Sequence, residues 1–172
     1  MIKITDINIP RVVSLNISKG GIPKLPVDSV EINFTGLKGD GHNHVKHYRP
    51  EQAVSLQDFE KLLELNKEGY SLLCGTTGEN ISVCHLNVNG LALGTILNFS
   101  GGVQLEISKI RQPCYVLDAI DPALKKNILG RCGMYAKVIK EGVVKTAEPI
   151  QVVRPQIEII THDFPRTPAL LS

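Results

Sequence analysis

Three short stretches of this sequence hold residues whose types and spacing suit chemistry. The first is KIRQPCYVLDAI, in which Cys114 follows Pro113 directly and stands three residues after Arg111. The compact apolar YVLDAI predicts a short helix that begins at or just after Cys114 and is ended by Asp121-Pro122. A thiol where a strand gives way to a helix meets exposed backbone N–H groups and a positive dipole end, with Arg111 and Arg131 adding positive charge, and these are the conditions that favour a nucleophilic thiolate. The other reading of Cys74, Cys84, Cys114 or Cys132 is a small buried hydrophobe. None of their spacings is the C-x-x-C of a zinc ribbon or dithiol redox motif.

The second stretch, GLKGDGHNHVKHYRPEQAVSL, has a tight Gly39-Asp40-Gly41 turn that leads into His42, His44 and His47. On extended backbone His42 and His44 point the same way, a start for a zinc or copper site; the alternative is a polar rim loop whose imidazoles are solvated or bonded to carbonyls. The run has no cysteine at zinc spacing, so His42 and His44 are not expected to close a structural zinc site. In the third stretch, GTTGENISVCH, Glu79 and Asn80 follow a glycine turn at the start of a strand. Their carboxylate and amide either bond a polar ligand or satisfy the turn itself.

The elements that position these residues are mostly strands. SVEINF alternates Val30, Ile32 and Phe34 against polar neighbours, and VQLEISKI alternates Val103, Leu105 and Ile107, the pattern of half-buried antiparallel strands. Turn-formers separate these runs, with Gly101-Gly102 and Glu141-Gly142 placed for hairpins. A mostly β fold, a barrel or a sandwich of mostly antiparallel strands with a few short helices, is the expected architecture. One longer helix is predicted in LQDFEKLLELNKEG, capped by Ser55 with Asp58 at N3 and stopped by Gly69. Leu56, Phe59, Leu62 and Leu63 form its inner face, which should seal one end or side of the barrel. The segment 154–172 is read as a last strand and a proline-bearing tail.

The chain has 172 residues with 42% apolar content, enough for one domain with its own core. Its 19 basic and 17 acidic residues are interspersed, for a net charge of +2, so no basic face for nucleic acid or a membrane surface is expected. The N-terminal MIKITDINIPRVVSL lacks the layout of a signal peptide and no apolar run approaches a membrane span, which gives a cytoplasmic expectation with reduced thiols.

Several short motifs in order resemble the MOSC domain, the module at the C-terminus of molybdenum-cofactor sulfurases and of free-standing bacterial proteins. SLNISKGGIPKLPVDSVEI resembles its opening strand and K-x-P-V turn, GLKGDGH its G-x-x-G-D-x-H signature, and RPEQAVSL the approach to its first helix. GEN, LALGTILNFSGGVQLEISKIRQPC and GRCGMYAKVIKEGVV are similar to its turn, its hairpin and strand ending in P-C, and its closing hairpin. The family fold is a mostly antiparallel β-barrel, in agreement with the alternation above.

The resemblance implies that Cys114 is the reactive cysteine, which carries sulfur as a persulfide or ligates the molybdenum of a pterin cofactor (molybdopterin). It implies that Asp40 and His42 lie near the pocket, that Glu79 and Asn80 help shape it, and that Lys38, Arg111 or Arg131 supply donors for a cofactor phosphate. The resulting expectation is a sulfur carrier or sulfurtransferase-type protein of molybdenum-cofactor or related sulfur metabolism. Its partner would be a cysteine-desulfurase-type donor, a pyridoxal phosphate enzyme, or a molybdenum-cofactor enzyme, and the protein itself a monomer or homodimer. The alternatives are a molybdenum-cofactor-binding reductase of N-hydroxylated compounds with Cys114 as metal ligand, and a non-catalytic cofactor-delivery module. The chain departs from the pattern after His42, where NHVKHYRPEQ is longer and leaves His47 and Arg49 competing for the family's H-R pair. Cys132 is an unexpected cysteine, either packing or a resolving thiol.

Overall fold

The computed structural model describes residues 8–41 and 49–155. His42, His44 and His47, and residues 156–172 of the expected last strand and tail, lie outside the described residues. The strands are β1 Arg11–Ile17, β2 Leu25–Val27, β3 Ser29–Asn33, β4 Gly36–Leu37, β5 Val54–Asp58, β6 Ile81–Cys84, β7 Ile96–Phe99, β8 Gln104–Ile110, β9 Met134–Lys140, β10 Gly142–Lys145 and β11 Ile150–Val153. Two α-helices join them, α1 Phe59–Lys67 and α2 Leu124–Asn127. No helix among the described residues is long and apolar enough to cross a membrane.

Eight strands form one sheet in the order β11-β7-β8-β9-β5-β6-β1-β2, and a smaller sheet has the order β10-β3-β4. All pairings are antiparallel except β5 with β6, which α1 connects as a crossover. The expected mostly antiparallel β fold is present, but the large sheet does not close through a continuous ladder. The start of β1, beside the β2 edge, instead bridges the segment before β11 where Arg11 meets Pro149, supported by Val12 N–H donating to the Glu148 carbonyl and Ala147 N–H to the Val12 carbonyl.

The alternation read in β3 and β8 has its predicted result. Val30 and Ile32 face the core, as do Leu105 and Ile107 with Val103 just before them, whereas Phe34 lies beyond the end of β3 and is exposed. The Gly101-Gly102 turn does join a hairpin, β7 to β8. Glu141-Gly142 does not: β9 pairs with β5 and β8 in the large sheet and β10 with β3 in the small one, so this turn is a corner between sheets. Both sheets contribute to one core, in which Ile32 and Val144 meet Leu15, Leu56, Ile81, Leu97 and Leu105.

The start of α1 differs from the sequence expectation by three residues. Ser55 belongs to β5, whose five residues are all buried, and Asp58 is the N-cap. The inner face is therefore Leu62 and Leu65, with Leu63 exposed and Leu56 in the sheet. These leucines do not seal the main core; they build a second one with Leu72, Leu117, Leu124, Ile128 and Cys132. Each fully buried leucine there contributes roughly 2–3 kcal/mol. Asp58 is buried at the junction, and burial, with Glu60 adding to it and the Val88 N–H bond opposing, pushes its carboxyl up to about 6.

Gly133 begins the return into β9 with φ +84, and a Cβ there would stand 1.9 Å from the Leu56 carbonyl oxygen of β5. Gly130 has a similar φ of +75 with nothing within 4 Å of its Cβ position. Gly130→Ala is expected to cost about 1 kcal/mol for the left-handed backbone alone. Gly133→Ala adds a collision with β5 and is expected to cost roughly 3 kcal/mol or more in urea denaturation. Equal costs at the two positions would show that the close approach of β9 to β5 is not a constraint.

Candidate functional site

Cys114 is held by anchors on both sides. On one side, the Arg111 N–H donates to the Gly133 carbonyl at 3.2 Å, and its guanidinium donates to the carbonyls of Cys132 and Thr77. On the other side, Cys114 caps the 3-10 turn Tyr115–Ala119, its carbonyl accepting the Leu117 N–H at 3.1 Å, and the Leu117 side chain is buried in the second core. The short helix expected at Cys114 is this turn, which stops at Ile120 ahead of Asp121-Pro122. Cys114 is extended, with φ −109 and ψ 158, and exposed.

The other thiols are more enclosed. Cys132 is buried, and burial pushes its thiol up; Arg111 opposes that shift, while the charges of Glu79 and Cys114 add to it. Cys74 is half-buried and its thiol is also pushed up by burial, against a hydrogen bond with Ser82. Cys74 and Cys132 both lie near the Glu79 carboxylate, and Cys132 also near Arg111 and Cys114, a grouping that sequence spacing does not reveal.

Asp40, Glu79 and Asn80 belong to one buried polar network. The Asp40 carboxylate accepts from Lys24 Nζ at 2.6 Å, from the Ser18 N–H at 2.9 Å and from Asn80 Nδ2 at 2.9 Å. Asn80 Oδ1 accepts from both the backbone N–H and the hydroxyl of Ser55 in β5, each at 3.1 Å. Asn16 of β1 donates to the Glu79 carbonyl and to Ser82 Oγ. The Glu79 carboxylate is fully buried and accepts from the Gly75 N–H at 2.7 Å, Thr77 Oγ1 at 2.7 Å and Ser82 Oγ at 2.9 Å. The Glu79 carboxylate thus bonds within its own turn, and the Asn80 amide joins β5 to Asp40. Lys24 is the member that sequence reading missed; its place in the K-x-P-V turn was the available signal.

The remaining expected residues are placed elsewhere. Arg131 directs its guanidinium at the Glu68 carboxylate and the Asn127 carbonyl, tying the end of α1 to α2, and Lys38 pairs with Glu31 at 2.9 Å on the surface of the small sheet. The Arg131 pair pulls Glu68 below its ordinary range. A hollow of about 490 Å³ lies between β2 and the 3-10 turn, lined by Ile22, Lys24, Leu25, Leu73, Cys74 and Ile120. A second, of about 370 Å³, lies against the Cys114 loop between Gln112-Pro113 and Lys125, Lys126 and Leu129. The first hollow contains Cys74, not Cys114.

The MOSC domain family profile matches residues 43–151. Over 129 residues the chain is 28% identical to a protein named Reductase from Gibberella moniliformis, which covers 69% of this chain and 23% of that protein. The chain therefore spans less than a quarter of that relative. Its fold is similar to the crystal structure of the YUAD protein from Bacillus subtilis, with TM-score 0.73 and 20% identity, covering 86% of this chain and 98% of that one. It is also similar to YiiM from Geobacillus stearothermophilus, with TM-score 0.71 and 26% identity over 84% of this chain and 75% of that one.

The network yields a prediction. Asn80→Ala leaves the Ser55 N–H and hydroxyl without their acceptor in the interior and takes one of two donors from Asp40 Oδ2, and the expected loss is about 2–4 kcal/mol by urea denaturation. A loss within the ordinary scatter of surface substitutions would mean that water replaces the amide, and that this region is more open than the structure shows.

Proposed function

Because the chain belongs to the MOSC domain family, we propose that it is a sulfur carrier of sulfurtransferase type, in which Cys114 bears the sulfur as a persulfide. The observation that supports this reading is that Cys114 is the exposed one of the four thiols and is mounted on backbone anchored at both ends. A carrier must meet a donor and then an acceptor, so its sulfur has to be reachable and its position fixed. In the loading step the Cys114 thiolate attacks the outer sulfur of a donor persulfide, R–S–SH. The Sγ–S bond forms, the donor's S–S bond breaks, and R–S⁻ leaves; the thiol proton goes to solvent and no outside oxidant or reductant is needed. Delivery is the same exchange toward an acceptor thiolate. Lys125 and Lys126, in the hollow beside Pro113, give an approaching anion a positive surface. On this reading the chain works as a single cytoplasmic domain, with a cysteine-desulfurase-type pyridoxal phosphate enzyme as donor and molybdenum-cofactor or related sulfur metabolism as destination.

The family also implies a molybdenum cofactor. A thiolate suits molybdenum as a soft ligand, but among the described residues the groups expected to hold the pterin do not fit that task, His42 lying outside them. Asp40, Glu79 and Asn80 are bonded inward, Arg111 to two carbonyls, Arg131 to Glu68 and Lys38 to Glu31. No step is derived through that group. A second reading, a molybdenum-dependent reductase with Cys114 as ligand, draws on the relative named Reductase.

Burial pushes the Cys74, Cys84 and Cys132 thiols up, so timed alkylation near neutral pH is expected to label Cys114 first. Faster labelling of any other cysteine would remove the assignment. Cys114→Ala is expected to change stability by no more than about 1 kcal/mol and to abolish labile sulfur after incubation with a cysteine desulfurase and cysteine. Sulfur that persists in the variant overturns the carrier reading. One molybdenum per wild-type chain, lost in the variant, selects the reductase.

A further inference from the structure

Glu79 and Asn80 lie just before β6, and a different set of side chains converges at its other end. We propose that Glu60, Cys84 and His85 form a binding site for a borderline divalent cation, Zn²⁺ foremost, with Asp58 lining the hollow that Glu60 and His85 share. One donor atom from each of the three residues lies within 4.8 Å of the others, and His85 Nδ1 is 3.7 Å from Glu60 Oε1. Tetrahedral zinc, with bonds of about 2.0–2.3 Å, sets its ligand atoms roughly 3.3–3.8 Å apart. The cluster therefore needs to close by about 1 Å, which rotation of partly exposed side chains supplies without moving the backbone.

The backbone explains the convergence. Adjacent residues of a strand point to opposite faces, but His85 has φ +57, and this left-handed turn ends the alternation directly after Cys84. Glu60 comes from the first turn of α1, and the His85 N–H donates to its Oε1 at 2.8 Å, which fixes the carboxylate beside the imidazole. A thiolate, an imidazole and a carboxylate make a donor set for zinc, whereas magnesium and calcium take oxygen ligands.

A second observation at the same place asks for a cation. Asp58 is 2% exposed; its Oδ2 accepts the Val88 N–H at 2.7 Å, while Oδ1 is buried without a hydrogen-bond partner. Asp58 lines a hollow of about 300 Å³ with Glu60, Lys61, His85 and Asn87. A metal ion, or water bound to it, supplies the partner that Oδ1 lacks. The charges nearest the site do not fill this role: Lys61 Nζ is paired with Glu64 at 2.9 Å, and Arg11 lies opposite Cys84 in the β1–β6 ladder.

The test uses the whole chain, reduced and stripped with a chelator, titrated first with Co²⁺ as a spectroscopic stand-in and then with Zn²⁺. One equivalent of Co²⁺ is expected, with thiolate-to-cobalt charge-transfer absorption that Zn²⁺ displaces. The absorption should vanish in Cys84→Ser, and affinity should fall at least tenfold in Glu60→Gln and in His85→Asn, a residue that tolerates the left-handed backbone. Cys114→Ala should bind as the wild type does. Saturating Zn²⁺ should also protect Cys84 of the wild type from alkylation, a readout that does not depend on how the variants fold. Cobalt binding without a thiolate band, binding that survives in Cys84→Ser and His85→Asn and so belongs to the histidines between 42 and 47, or unprotected Cys84 at saturating Zn²⁺ would each overturn the proposal.

Discussion

A polar group sealed inside this protein must find its partner inside it, and the run of bonds from Lys24 through Asp40, Asn80 and Asn16 to Glu79 meets that demand. The Lys24 and Asp40 side chains are only 13% and 3% exposed, so neither charge is well solvated and removal of one would leave the other buried alone. The network fastens the loop after β1, the turn after β4, β5 and the segment before β6 to one another. The Cys114 loop depends on this arrangement at one remove, because Arg111 bonds the carbonyl of Thr77, whose hydroxyl bonds Glu79. The loop that carries the exposed thiol is thus tied through Arg111 to a fully buried carboxylate.

The parts of the fold that were legible in the sequence are those governed by local physics. Alternation in β3 and β8 reports which face is buried, because side-chain direction in a strand has a period of two. The turn at Gly101-Gly102 and the short helical turn after Cys114 were legible for similar reasons. Where the sequence misled, tertiary structure overrode a local signal. Ser55 satisfies the pattern of a helix cap, yet β5 lies between β9 and β6, and its hydroxyl and N–H are both bonded to Asn80. Glu141-Gly142 has hairpin chemistry, but it turns the chain from one sheet to the other.

The site was legible in its cysteine and less so in its surroundings. Residue types show that Asp40, Glu79, Asn80, Arg111 and Arg131 are able to bond a ligand. They do not show whether a nearer partner in the fold has taken the bond. That depends on which loops meet in space, as with Arg131 and Glu68, which are far apart in sequence and tied side chain to side chain. The same limit hid Glu60 and Cys84, which lie on different elements and converge because α1 carries the chain back to lay β6 beside β5.

The bridge between Arg11 and Pro149 also bears on how the protein is made. The segment from Glu148 to Ile150, which bonds beside Val12 and Pro10, is made about 140 residues after them. Until then the start of β1 has only its β6 neighbour and β7 only its β8 neighbour, so each keeps an open backbone edge, the state in which sheet edges join other chains. A nascent chain halted before residue 148 has nearly all of its core residues but no means to cover those edges. A chain that ends in this region therefore keeps two sheet edges through which it can join another chain.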